Sequence, residues 1–196
     1  TVFPVASYVW LWERLIPFFY RGEHTQAVSR DTAEELIGMG FDRSRMRIVY
    51  NGIESTLYTP ASEGEPPPLV SPYVLYMGRI KRYKRLELVL EAFSRARREG
   101  LDPSVRLVFA GAGDDYPRLK ARAAALGLTG SVDFEGRVSL ERKLALLRHT
   151  LMVLNSSPKE GWGITNLEAA ACGAPVIASR SPGLRESVLD GESGFL

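Results

Sequence analysis

The stretch Ser156 to Ser179, SSPKEGWGITNLEAAACGAPVIAS, sets two carboxylates, Glu160 and Glu168, on either side of a Gly-Trp-Gly turn. Gly161, Trp162 and Gly163 do not continue a helix comfortably, whereas ITNLEAAAC does, so a helix is expected to begin near Ile164 with unpaired N–H groups at its start. The apolar segment APVIAS that follows reads as a short buried strand. Loop, helix and strand in that order form the repeating unit of a parallel α/β sheet, and such a helix start is a place for an anion.

The same unit recurs outward from this stretch. Strands are expected in YVLYMG, VRLVFAG, SVDFEG, LMVLNS and APVIAS. Between them lie turns with glycine and amphipathic helices such as Arg85 to Arg98, where Leu86, Val89, Leu90 and Phe93 fall on one face. The fold class is therefore α/β: a Rossmann-like parallel sheet with helices on both faces. Ligands of open sheets bind outside the carboxyl ends of the strands, so the loops that follow the strands are where chemistry is to be sought.

The N-terminal part is less regular. It reads as a helix, a strand in HTQAVS, a helix in RDTAEELIGMG begun by Ser29 as N-cap with Asp31 in its first turn, and a strand in RMRIVYNG. This is expected to be the tail of a second α/β domain, residues 1–58. The prolines and small polar residues of TPASEGEPPPLVSP mark a linker, residues 59–70, which leaves 71–196 as the main domain. That domain is expected to be truncated at its end, where GESGFL starts a strand, and the chain to open within a helix.

Composition narrows the function. With 25 Lys and Arg against 23 Asp and Glu, the net charge of +2 is too small to announce a nucleic-acid binder. The single cysteine, Cys172, excludes an internal disulfide. It fits a reducing, cytoplasmic compartment and reads as a small buried helix residue rather than a reactive thiol. The apolar run VFPVASYVWLWERLIPFFY is interrupted by Glu13 and Arg14 and contains Pro4 and Pro17, so it is a poor membrane span. Its aromatics, Trp10, Trp12, Phe18, Phe19 and Tyr20, read as a helix packed under another part of the protein. Peripheral contact with the inner face of a membrane is the alternative.

Three loops carry unusual chemistry. GRIKRYKR puts five basic residues within Arg79 to Arg85, with Lys84 expected at the start of the next helix, an arrangement that suits a diphosphate. A solvated basic face or a nucleic-acid patch are the other readings, the second weakened because Tyr83 alone interleaves the cations. FAGAGDDY has Gly111 and Gly113 but Tyr116 in place of the third glycine, and Asp114 and Asp115 where a pyrophosphate would approach, so it is no dinucleotide fingerprint. Asp114 reads instead as a helix N-cap and the glycines as a tight turn. In the third loop, Glu168 lies about one turn into its helix and can accept from vicinal hydroxyls, while Glu160 precedes the turn. Carboxylates that accept from sugar hydroxyls around a cationic diphosphate pocket describe a nucleotide-sugar.

From about Thr25 to Leu196 the sequence resembles the retaining glycosyltransferases of family four, with the GT-B fold of two facing Rossmann-like domains. The resemblance is carried by Glu-x7-Glu in EGWGITNLE together with GRIKRYK, AGAGDD, GAPVIAS and PGLRESVLDGESGFL. It implies a transferase that moves a sugar from a nucleoside-diphosphate sugar to a glycan, lipid-linked or small-molecule acceptor, with retention inherited from the resemblance alone. It further implies that Arg79 and Lys84 hold the donor diphosphate and that the N–H groups of Gly163, Ile164 and Thr165 meet the phosphate or sugar. Glu168 would accept from the ribose, Glu160 from the transferred sugar, and Gly136, Arg137 and Val138 would border the nucleobase. Gly78 and Gly161 complete the expected donor set, and Arg79, Lys84 and Glu160 are the expected catalytic residues. No cofactor and no metal are expected, since there is no Asp-x-Asp or His cluster and the cations already meet the leaving group. Arg85 departs from the family, standing where many members have glycine. Asn155 and Lys159 fall near the donor. The family's glycine-rich N-terminal loop, its N-domain histidine and its final helix lie outside this chain, so a donor-binding module without transferase activity is the alternative for the fragment.

Overall fold

A computed structural model describes residues 3–13, 15–20 and 22–196. Arg14 lies outside the described residues, as does the side chain of Trp10. The chain divides into two compact units, Thr1–Asn51 and Gly52–Leu196.

The first unit opens with α1 (Phe3–Glu13) and α2 (Ile16–Phe19), continues through β1 (Thr25–Ala27) and α3 (Arg30–Gly38), and ends at β2 (Met46–Ile48), parallel to β1. Ser29 caps α3 as expected, its side chain accepting from the Thr32 N–H at 3.0 Å, and Asp31 lies in the first turn. Trp12, Phe18, Phe19 and Tyr20 are all exposed. Among the described residues no helix is long and apolar enough to cross a membrane.

The second unit follows the expected alternation: β3 (Tyr73–Met77), α4 (Leu86–Arg98), β4 (Arg106–Ala110), α5 (Tyr116–Ala125), β5 (Val132–Gly136), α6 (Leu140–His149), β6 (Val153–Asn155), α7 (Ile164–Ala171), β7 (Val176–Ala178), α8 (Leu184–Ser187) and β8 (Gly194–Phe195). All six strands are parallel, in the order β5-β4-β3-β6-β7-β8. Because side chains alternate along a strand, β3 feeds two cores. Tyr73 and Leu75 join Leu146, Leu147, Ala169 and Val176 on one face, while Val74 and Tyr76 join Leu86, Leu90, Phe93 and Leu119 on the other. Leu86, Val89, Leu90 and Phe93 are the buried stripe of α4, as their spacing requires. The chain runs outward from β3 to β5 and then returns to β6 beside β3, so the strand order reverses between β3 and β6. That reversal opens a crevice at the carboxyl ends of these two strands, and the loops after them are the basic loop and the Glu160 loop.

Three expectations change. The boundary falls after Asn51 rather than at 58, and residues 59–70 are no free linker. Leu57, Tyr58 and Leu69 pack on the core, and the guanidiniums of Arg148 and Arg142 donate to the carbonyls of Thr59 at 3.0 Å and Pro68 at 3.1 Å. The N-cap of α5 is Asp115, not Asp114. Asp114 is drawn to Lys81 at 2.9 Å and Asp115 to Arg118 at 2.6 Å, because each carboxylate has a cation within reach. The glycines of FAGAGDD serve close approach: a Cβ on Gly111 would stand 1.8 Å from the Gly78 carbonyl oxygen, and one on Gly113 1.8 Å from that of Ile80.

Candidate functional site

The basic loop leaves β3 through Gly78, whose N–H donates to the Ala110 carbonyl at 2.9 Å, and the Tyr76 hydroxyl fixes the Arg79 carbonyl at 2.8 Å. Arg79 is exposed, its guanidinium donating to the Tyr83 hydroxyl at 3.1 Å. Lys84 closes a one-turn 3-10 helix, Arg82–Lys84, and α4 begins only at Leu86, so Lys84 precedes the helix rather than starting it. The residue between them is Arg85, at φ 55° and ψ 41°. This left-handed conformation is cheap only for glycine, which gives the glycine that many members of the resembled family carry here a physical reason.

Lys84 and Glu160, read from the sequence as touching different parts of a ligand, touch each other. The Lys84 ammonium donates to Glu160 Oε1, and the side chains retain only 12% and 20% of their exposure. Burial, helped by the neighbouring Arg79 guanidinium, pushes the Lys84 ammonium down to about 8. The two loops are also tied through Ser156, whose hydroxyl donates to the Lys84 carbonyl at 2.8 Å. Arg79, Lys84 and Glu160 thus form one cluster of two cations and one carboxylate, where an incoming anion finds a net positive charge.

Beyond Glu160, the exposed Gly161 and the buried Trp162 lead to Gly163, at φ 86°. The Asn166 N–H donates to the Gly163 carbonyl at 2.9 Å, which starts α7 at Ile164 as the sequence suggested. The first-turn N–H groups of Ile164 and Thr165 have no acceptor within the helix. Asn166, fully buried, locks this start in place. It accepts from the Asn155 amide at 3.0 Å and donates to the Ser187 hydroxyl at 3.0 Å. The half-buried Asn155 thus spends its amide on Asn166.

Glu168, one turn further on, is buried at 7% exposure. Its Oε1 accepts from the Tyr58 hydroxyl at 2.7 Å and from the Lys143 ammonium at 2.5 Å, and the ammonium also reaches the Tyr58 oxygen at 3.0 Å. Burial works against the Lys143 ammonium, yet the bonds to Glu168 and Tyr58 outweigh it and hold its pKa above the ordinary value. Neither Tyr58 nor Lys143 stood out in the sequence. Each lies far along the chain from Glu168, and only the packing of the 57–69 segment and α6 against α7 brings them together.

The remaining expected residues lie at the edge strand β5. Gly136 accepts from the Gly111 N–H at 2.7 Å, Arg137 is exposed, and Val138 is half-buried against the core. Glu135 and Arg142 form a bidentate pair at 2.5 and 2.9 Å that anchors this loop to α6. Among the described residues no group of three His, Cys, Asp or Glu could hold a metal ion.

Comparison with known proteins fits this architecture. Two D-inositol 3-phosphate glycosyltransferases are 30% identical over 177 residues (Acidothermus cellulolyticus) and 33% over 181 (Thermobifida fusca). These alignments take in 84% and 85% of this chain but only 40% and 41% of the relatives, so the chain spans less than half of their length. Anabaena HepE, solved in complex with UDP and glucose, superposes with a TM-score of 0.81 at 22% identity, covering 94% of this chain and 52% of that one. Sucrose-phosphate synthase from Thermosynechococcus elongatus gives 0.75 at 25%, covering 87% and 44%. The family model for glycosyl transferases group 1 matches residues 61–196, and the chain belongs to that family.

Proposed function

We propose that this chain is the donor-binding part of a glycosyltransferase of family four, which moves a sugar from a nucleoside-diphosphate sugar to a glycan, lipid-linked or small-molecule acceptor with retention of configuration. The observation that carries the reading is the pairing of Lys84 with Glu160 beside Arg79, in loops at the switch point of a six-stranded parallel sheet, with α7 starting four residues after Glu160. Departure of a nucleoside diphosphate loads charge on its terminal phosphate, and cations together with the free N–H groups of a helix start stabilise that charge. On this reading Arg79 and Lys84 bind the diphosphate, and Gly163, Ile164 and Thr165 offer N–H groups to phosphate or sugar. Glu168 takes the ribose, Glu160 the transferred sugar, and Gly136 to Val138 flank the base.

The D-inositol 3-phosphate glycosyltransferases among the relatives support a sugar-transfer chemistry, and UDP in the HepE structure supports a diphosphate donor. Donor binding is proposed to need no metal. A nucleic-acid role is disfavoured because Lys81 of the basic loop is paired with Asp114 and Tyr83 alone interleaves the cations. The lone buried Cys172 supports a cytoplasmic site of action. Binding without transfer is the reading for the chain by itself, favoured by its coverage of 40% of a relative's length. Thermal-shift titration with UDP-, GDP- and ADP-sugars, with EDTA and again with Mg²⁺, tests the proposal. A melting point unmoved by every donor, or moved only with Mg²⁺, refutes the corresponding part.

A further inference from the structure

The Tyr58–Lys143–Glu168 trio has a geometry that its separate residues do not announce. Three segments far apart in sequence, the stretch entering the second unit, α6 and α7, each send in one polar group, and both bonds to the carboxylate fall on the same oxygen. Glu168 Oε1 accepts from Tyr58 at 2.7 Å and from Lys143 at 2.5 Å. Among the described residues no group donates to Oε2. The lysine is itself fixed: it bonds the Tyr58 hydroxyl at 3.0 Å and lies 5.2 Å from the centre of that ring. A carboxylate with side-chain exposure of only 9% that is held through one oxygen has lost its rotational freedom. The other oxygen then presents lone pairs in a fixed direction to whatever hydroxyl reaches it.

We propose that Lys143 and Tyr58 are positioning residues that set the Glu168 carboxylate to read the ribose hydroxyls of the donor nucleotide, so that discrimination between ribo- and deoxynucleotides depends on them. The inference rests on the donor reading above. An unheld glutamate would choose among rotamers and share its hydrogen bonds with water. The lysine and tyrosine remove that choice before the ligand arrives, which is where pre-organisation gains affinity. Neither residue need touch the nucleotide to do so.

The test uses the full 196-residue chain and calorimetry with UDP, GDP and ADP, each beside its 2′- and 3′-deoxy counterparts. The readout is the ratio of ribo to deoxy affinity within each variant, in which a general loss of binding competence cancels. The wild-type ratio for the best nucleotide is expected to be about ten-fold or more, a lost hydrogen bond to a charged group. Lys143→Met is expected to bring it to two-fold or less, roughly the value left when the carboxylate is disordered. Tyr58→Phe, which keeps the ring and removes one bond, is expected to lower it about three-fold. Folded variants that keep the wild-type ratio overturn the proposal and leave the trio as a strut between segments. Should Lys143→Met not fold, Tyr58→Phe decides alone, and an unchanged ratio there overturns it equally. A wild-type chain that binds a diphosphate with no ribo preference removes the ribose role of Glu168 itself, and no binding of any diphosphate removes the donor reading. In either case the failure appears before any variant is compared.

Discussion

Glu160→Gln is the sharpest test of the site. Were Glu160 only a sugar acceptor, the free nucleoside diphosphate would bind the variant as it binds the wild type. The structure gives a different expectation, because Glu160 is bonded to Lys84, a cation proposed to hold the diphosphate, and both side chains are largely withdrawn from water. The diphosphate must then draw the ammonium away from a carboxylate and place its own negative charge beside it. Glutamine keeps the shape and still accepts from Lys84, but it carries no competing charge. One charge-assisted hydrogen bond is worth about 1.5–3 kcal/mol, and part of that is regained in the wild type by rearrangement. The net expectation is about ten-fold tighter binding of the free diphosphate, or about 1.4 kcal/mol. The intact nucleotide-sugar should gain less, because the sugar hydroxyls lose their acceptor. Stability should fall by about 1–2 kcal/mol, less than for a fully buried pair that loses one partner outright. Calorimetry at one fixed ionic strength, with Lys84→Met and the double variant completing a cycle, reads all three effects. Unchanged or weaker diphosphate binding in Glu160→Gln, with the fold intact, would refute the competition.

Three further outcomes are expected. Arg79→Ala and Lys84→Ala should each weaken nucleoside diphosphate binding about ten-fold or more in calorimetry, and equal affinity in both would remove the clamp. Lys84, held down to about 8 by burial and Arg79, is charged below that pH and loses its proton above it. Diphosphate affinity should therefore fall as pH rises through about 8, with proton uptake on binding in that window, detected as a dependence of the heat on the buffer's ionisation enthalpy; a flat profile from pH 7 to 10 would count against it. Arg85→Gly should stabilise the protein by up to about 1 kcal/mol in urea denaturation by relieving a left-handed backbone, the larger unfolded-state entropy of glycine offsetting part of the gain.

The fold was legible because its signals are local. Strands β3, β4, β6 and β7 are short and mainly apolar, α4 shows its buried stripe at helical spacing, and the Gly-Trp-Gly turn forces α7 to start at Ile164. The errors arose where two neighbouring residues satisfy the same local rule. Asp114 and Asp115 are both chemically fit to cap α5, yet Asp115 stands at the N-cap position without a side-chain hydrogen bond to the helix, and the two carboxylates go to Arg118 and Lys81, which only the fold brings up. Composition likewise marks 59–70 as a linker through its prolines. Yet Arg148, 89 residues away, donates to the carbonyl of Thr59 and ties the segment down.

Of the candidate site, the placing of its loops was legible and the pairings of its side chains were not. Loops at the carboxyl ends of strands follow from the α/β alternation, so the basic loop and the Glu160 loop were expected to share a crevice. Which charge meets which was not, since Lys84 and Glu160 are 76 residues apart, Tyr58 and Glu168 110, and Lys143 and Glu168 25. No periodicity or spacing encodes such contacts. The pairings matter because they change the meaning of the two glutamates. Each already holds a lysine, but at different exposure and with different consequences. Glu168, at 9% side-chain exposure, is held from two sides through one oxygen, so a ligand hydroxyl adds to an arrangement that stays intact. Glu160 holds a lysine that the ligand itself is proposed to need, so binding there is an exchange of partners. An exchange has a smaller net free energy than an addition, because a bond is broken for the bond that is made. On the proposed reading, nucleotide recognition at Glu168 is therefore the stiff half of the donor site, and the diphosphate and sugar half around Glu160 is the half whose affinity one charge can tune.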